Sequence, residues 1–215
     1  MYETVIFDLD GTLLDTLDDL HGAVNAALAA YALPLRTKEE VRGFVGNGIV
    51  KLMERAVGKK NHPDFDGILT AFKEYYKEHC KDKTAAYEGI MPLLSALKDR
   101  GIKTAVVSNK ADFAVKLLAE EYFDGLLLAA VGENESAGVR KKPAPDSLLS
   151  VMETLNADRE TTVYVGDSEV DILTAQNAGV ECLSVTWGFK DKAFLQENGA
   201  KILLDEPSQI LAYCK

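Results

Sequence analysis

Residues 5–12 read VIFDLDGT, and this octapeptide decides the fold. A wholly apolar run leads straight into two carboxylates separated by one leucine, and Gly11-Thr12 then breaks it. Side chains at i and i+2 of an extended segment point the same way, so Asp8 and Asp10 face one point while Leu9 turns back into the protein. Two unit charges about 4 Å apart repel by roughly 4 kcal/mol at an effective dielectric of about 20, so positive charge belongs beside such a pair. The plainer alternative is a strand-end turn in which aspartate is a favoured loop residue.

Working outward, short β-branched runs recur, each closed by a polar turn and followed by a helical pattern. They lie at 3–8, 103–107, 126–131, 162–165 and 182–186, with a short run at 202–204 suited to an edge strand. Near-continuous apolar runs of this length are the mark of buried parallel strands. Helical spacing covers 89–100, 111–122 and 169–178, and Gly101 and Gly179 follow as stops. The alternation predicts a doubly wound α/β parallel sheet.

One stretch departs from this rhythm. From about 16 to 85 there is helical patterning without a strand, with capping-box signals at Thr16 to Asp19 and at Thr37 to Glu40. It is too long for one crossover. The expected organisation is an α/β core of residues 1–14 and 86–215 and an inserted helical cap of residues 15–85.

Bulk properties narrow the function. The 215 residues are 47% hydrophobic and 27% charged, as in globular proteins, and 24 basic against 34 acidic residues give a formal charge of −10. That balance disfavours nucleic acid or an anionic membrane as partner. Cys80, Cys182 and Cys214 lack C-x-x-C spacing, and no leader or membrane-length apolar run is present, so a reduced cytoplasmic setting is expected. His21, His62 and His79 show no metal-binding spacing and read as surface or satisfied helix residues, and Trp187, Tyr75 and Tyr76 as packing.

In an open parallel sheet, ligands bind beyond the carboxyl ends of the strands where strand order reverses. The first strand end supplies Asp8, Asp10 and Thr12. VVSNK places Ser108 and Asn109 where a strand hands over to a helix, a setting for an anion or for plain capping. In VRKKPAPDS, Pro143 and Pro145 stiffen the approach, Pro145 suits the first helical turn, and Lys142 can act as a point charge toward phosphate. In YVGDSEVD, Asp167 follows a strand and Asp171 lies four residues on. Asp8, Asp10 and Asp167 together suit an oxygen-ligated hard cation such as Mg²⁺.

DLDGT at 8–12, SN at 108–109, KP at 142–143 and GDSEVD at 166–171, in this order, resemble the four signature motifs of the haloacid dehalogenase-like phosphohydrolases. The helical insertion is similar to the small cap of that superfamily's phosphoglycolate phosphatase branch, FVGNGIVKLMERAV at 44–57 especially. The resemblance implies Asp8 as nucleophile, Asp10 as general acid and base, and Mg²⁺ held by Asp8, the Asp10 carbonyl and Asp167. It implies Ser168 and Asp171 as supports of that site, Ser108, Asn109 and Lys142 as phosphoryl-binding groups, and Thr12 as a support of Asp10. The expected activity is hydrolysis of a small phosphomonoester, 2-phosphoglycolate first, by a monomer or homodimer.

Dehalogenases and phosphonatases of the superfamily lack the second acid, so Asp10 speaks against both. Mutases carry a basic residue shortly after a glycine like Gly43, where this chain has Phe44 to Gly46. A sugar phosphomutase or pyrophosphatase, a receiver-type phosphoacceptor and a silent binding relative are the remaining readings. In the cap, Gly46-Asn47-Gly48 could offer backbone donors to a substrate carboxylate, whereas Arg42, Lys51 and Arg55 read first as solvated helix residues.

Overall fold

The computed structural model describes residues 1–59, 61–134 and 138–215. The strands are β1 (Thr4–Phe7), β2 (Leu14–Asp15), β3 (Ala85–Ala86), β4 (Lys103–Ala111), β5 (Ala129–Glu133), β6 (Thr162–Gly166), β7 (Glu181–Val185) and β8 (Ile202–Leu204). The helices are α1 (Leu17–Ala30), α2 (Lys38–Phe44), α3 (Ile49–Val57), α4 (Phe65–His79), α5 (Ile90–Asp99), α6 (Asp112–Phe123), α7 (Asp146–Thr154), α8 (Glu169–Ala178) and α9 (Lys192–Glu197). The chain divides into two compact units, Met1–Leu14 with Ala86–Lys215, and Asp15–Ala85. The short strands β2 and β3, where the chain passes from one unit to the other and back, pair with each other.

The larger unit is a parallel six-stranded sheet in the order β5-β4-β1-β6-β7-β8. Its two faces follow from the period-two alternation of the strands. Val5, Phe7, Val106, Val163 and Val165 face a core closed by Leu93, Leu94 and Leu97 of α5 and Val115, Leu118 and Phe123 of α6. Ile6, Ala105, Val107 and Tyr164 face the opposite core, closed by Leu148, Val151 and Met152 of α7 and Ala175 and Ala178 of α8. This is the doubly wound architecture expected from the sequence. From β1 the chain moves to β4 and outward to β5, then returns to β6 on the other side of β1. Strand order therefore reverses at β1, and the carboxyl ends of β4 and β6 flank that crevice.

Residues 202–204 do form an edge strand, and α5 and α8 stop at Gly101 and Gly179, both with positive φ. Three boundaries differ from expectation. The run 126–131 opens with a turn, Leu126 N–H on Phe123 O, then Leu128, 64% exposed, donates its N–H to Thr104 O of β4, and β5 proper starts at Ala129. An apolar run has no periodicity to mark where pairing starts. The strand expected at 103–107 continues to Ala111, so Ser108 and Asn109 lie within it and α6 begins at Asp112. Pro145 precedes the first residue of α7 instead of lying within its first turn.

The smaller unit, taken by itself, consists of α1 to α4. Thr37 and Glu40 form the expected reciprocal capping box on α2. The signal at Thr16 to Asp19 does not: Thr16 makes no side-chain cap bond, and Asp19, buried, accepts Lys83 N–H, Thr84 N–H and the Thr84 hydroxyl. A carboxylate with three donors on a distant segment has no reason to serve its own helix end. Val45–Gly48 joins α2 to α3, with positive φ at Gly46 and Gly48. Arg55 is exposed on α3, as expected of a solvated helix residue, and also braces this loop by donating to Phe44 O and Asn47 Oδ1 at 2.7 Å each. Lys51 and Arg42 pair with Glu54 and Glu39. The histidines are satisfied: His21 bonds Arg36 O, His62 accepts Asp64 N–H and His79 pairs with Asp82. Tyr76 stacks on Phe72 in the interior, whereas Tyr75 lies at the surface on His79.

Candidate active site

The turn after β1 is built around one buried carbonyl. Asp8 N–H still pairs with Val165 O in β6, and then Leu9 O accepts N–H groups from Thr12, Leu13 and Leu14. Gly11, at φ +83°, makes the reversal. The conformation suits glycine, and the space admits nothing larger: a Cβ there would stand 2.3 Å from Asp167 Oδ2. Leu9 is buried in the core as expected, leaving Asp8 and Asp10 on the other side.

Asp8, Asp167 and Asp171 converge, with one carboxylate oxygen from each lying within 4.8 Å of the others. All three are buried. Lys142 stands among them, 3.0 Å from Asp8 Oδ1 and 2.7 Å from Asp171 Oδ1. Its third donor reaches Tyr164 Oη at 2.9 Å, and Tyr164 in turn donates to Val107 O at 2.7 Å. Asp171 also closes a capping box on α8, its Oδ2 accepting Ser168 N–H at 3.1 Å and the Ser168 hydroxyl at 2.6 Å. Asp167 Oδ2 accepts Phe189 N–H at 2.6 Å. Gly188 lets that segment approach, since a Cβ there would lie 2.4 Å from Asp167 Cβ.

The electrostatics follow from this crowding. Burial pushes Asp8 up to about 6, against the pull of Lys142, and Asp171 and Asp10 add to the rise. Burial, then the charges of Asp171 and Asp8, hold Asp167 well above the carboxylate range despite the Phe189 N–H. Burial alone would depress Lys142, but Asp171 and Asp8 more than reverse it, and the ammonium stays charged. Three buried carboxylates around one lysine leave negative charge in excess. An all-oxygen donor set of this kind fits a hard dication.

Asp10 stands apart from that cluster. Its carboxylate meets Lys110 Nζ at 2.9 Å and 3.2 Å, and Lys110 is only 5% exposed. Each acid of the DLD turn thus has its own lysine. The Ser108 hydroxyl beside Asp8 favours its charged form. Asn109, expected to face a phosphoryl group, instead uses its amide on the Lys142 backbone, Nδ2 donating to Lys142 O at 3.0 Å and Oδ1 accepting Lys142 N–H at 2.8 Å. Thr12 is fully buried, and its hydroxyl has no hydrogen-bond partner among the described residues, so the expected support of Asp10 does not pass through it. The Thr12 carbonyl accepts the Trp187 Nε1–H at 3.0 Å, which makes Trp187 a brace of the motif turn and more than packing.

Lys110, Tyr164 and Trp187 were not among the expected site residues. The sequence held a weak signal for two of them: Lys110 lies two residues beyond Ser108 on an extended strand, and a tyrosine inside a buried strand must find a partner for its hydroxyl.

The family model described as "Haloacid dehalogenase-like hydrolase" matches residues 5–185. Phosphoglycolate phosphatase 1 of Pseudomonas aeruginosa is 32% identical over 213 residues, covering 96% of this chain and 78% of its own. Phosphoglycolate phosphatase of Chromobacterium violaceum is 32% identical over 200 residues, covering 90% and 89%. Among solved structures, that of a candidate phosphoglycolate phosphatase from Lactobacillus delbrueckii subsp. bulgaricus superposes with a TM-score of 0.91 at 36% identity, covering 97% of this chain and 96% of its own. The chain therefore belongs to the haloacid dehalogenase-like hydrolases, as a phosphoric monoester hydrolase of the phosphoglycolate phosphatase-like branch.

Proposed function

We propose that this enzyme is a Mg²⁺-dependent phosphatase acting on a small phosphomonoester, 2-phosphoglycolate first, through an aspartyl-phosphate. The observation that carries the reading is the gathering of Asp8, Asp167, Asp171 and Lys142 at the crevice where strand order reverses.

Asp8 attacks phosphorus and forms the acyl phosphate. Asp10 gives a proton to the departing alkoxide and takes one back from the water that opens the intermediate. The Lys142 ammonium and the Ser108 hydroxyl hold the non-bridging phosphoryl oxygens. The three donors of Lys142 are already engaged by Asp8, Asp171 and Tyr164, so a phosphoryl oxygen must displace one of them. The Asp8 contact gives way, because esterification removes the charge it answers. Asn109 serves the reaction by fixing the Lys142 backbone. Asp8, the Asp10 carbonyl and Asp167 would hold Mg²⁺, which supplies the positive charge that lets a phosphate dianion approach these carboxylates. The helical unit is read as the specificity-bearing cap, with the Arg55-braced Gly46-Asn47-Gly48 loop as its recognition segment.

A panel of phosphate esters assayed with Mg²⁺ and with chelator tests the reading. The expected result is many turnovers per chain, Mg²⁺ dependence and the highest kcat/KM on 2-phosphoglycolate. Faster hydrolysis of pyrophosphate, a nucleotide or a sugar phosphate overturns the substrate, and single labelling without release overturns the phosphatase reading.

A further inference from the structure

Two lysines reach the acids of the DLD turn, and only one has an assigned task. Lys110 is the last but one residue of β4, its side chain 2% exposed, with Nζ 2.9 Å from Asp10 Oδ1 and 3.2 Å from Oδ2. An ammonium buried to that extent is costly unless its partner is fixed opposite it. β4 pairs directly with β1, in register through Phe7 and Val106, and Asp10 lies three residues beyond Phe7 in the turn held by the Leu9 carbonyl and bridged to Leu14. Lys142 serves the other acid and does not form an ion pair with Asp10 among the described residues.

We infer that Lys110 is a positioning residue for proton transfer: by spanning both oxygens of Asp10 it fixes the rotation of that carboxyl group, and so the aim of the oxygen that carries the proton. This rests on the reading of Asp10 as general acid and base. In the first half-reaction the bond from phosphorus to the ester oxygen breaks, the electron pair stays on that oxygen, and the Asp10 proton goes to it. In the second, water adds to phosphorus, its proton goes to Asp10, and Asp8 leaves as carboxylate. Lys110 loses and gains nothing in either. A carboxyl group free to rotate would still sit in the site but spend little time aligned with the bond being broken.

The inference separates itself from a merely structural role through the leaving group. An alkoxide needs its proton as the ester breaks, whereas p-nitrophenolate departs without one. The quantity to measure is the ratio of kcat/KM on the fastest alkyl phosphate of the panel to kcat/KM on p-nitrophenyl phosphate, both on the same enzyme sample. Partial misfolding lowers both terms equally and leaves the ratio unmoved. Asp10→Asn should lower the ratio by about a hundredfold or more, the scale of general acid catalysis. Lys110→Met should lower it by about tenfold or more, and Lys110→Arg, which keeps a cation, should recover most of it. If Asp10→Asn lowers the ratio and Lys110→Met leaves it at the wild-type value, the inference on Lys110 is wrong and the general-acid reading stands. If Asp10→Asn itself leaves the ratio unchanged, the reading of Asp10 fails, and the role of Lys110 with it.

Discussion

Lys142 Nζ lies 2.7 Å from Asp171 Oδ1, so the loop ahead of α7 and the first turn of α8 meet in a buried ion pair. Removing one partner of such a pair costs roughly 3–5 kcal/mol, because the other charge is left uncompensated. Lys142→Met is expected to lose about that much stability in chelator, measured by urea unfolding, and to lower kcat by about a hundredfold or more. Stability close to wild type in chelator would mean that the pair is not a structural element.

Asp8→Asn should separate stability from activity. Burial and the neighbouring carboxylates oppose the charge at Asp8, so an uncharged isostere relieves the metal-free fold. Turnover is expected to vanish while the melting temperature in chelator at about pH 8 rises by several degrees. An active variant would remove Asp8 as nucleophile.

The dependence of stability on pH follows with a definite sign. Unfolded, Asp8 titrates near 3.9, and in the folded chain it is pushed up to about 6. The folded state keeps a proton that the unfolded state has already released. The contribution of Asp8 is therefore fully present below about pH 4 and is lost as pH rises through about 6, amounting to roughly 3 kcal/mol. Asp167 is shifted in the same direction. Added Mg²⁺ should accordingly raise the melting temperature far more at about pH 8 than at about pH 5, by calorimetry. Equal increments at both would place the cation elsewhere.

Gly11→Ala puts a Cβ at 2.3 Å from Asp167 Oδ2 and at a φ of +83°. The left-handed strain alone costs roughly 1–2 kcal/mol, and Asp167 must also move. The expected outcome is a large drop in kcat together with weaker Mg²⁺ dependence at saturating substrate, read from metal titrations. Unchanged metal titration would show that Asp167 does not ligate the ion.

Much of this site was legible because it sits at strand ends, where short motifs and the topology of a parallel sheet leave little choice. The sequence grouped Asp8, Asp10 and Asp167, with Asp171 in support, and the structure gathers the carboxylates of Asp8, Asp167 and Asp171. The bonding of the Asn109 amide to the backbone of a residue 33 positions away left no local mark. Lys110 and Tyr164 were hidden for the same reason: one extended strand hides a lysine among ordinary strand residues, and the other makes a tyrosine look like core. The boundary of β5 was lost to an apolar run in which turn and strand share one composition. Asp19 had the pattern of a cap, but three donors from Lys83 and Thr84 outbid its own helix.

The pairing of β2 with β3 has an architectural consequence. The points where residues 15–85 leave and rejoin the sheet-bearing segment lie on neighbouring strands, about 5 Å apart by ordinary strand spacing. A tight hairpin could span that gap. The insertion can therefore change in length without altering the order of strands in the sheet.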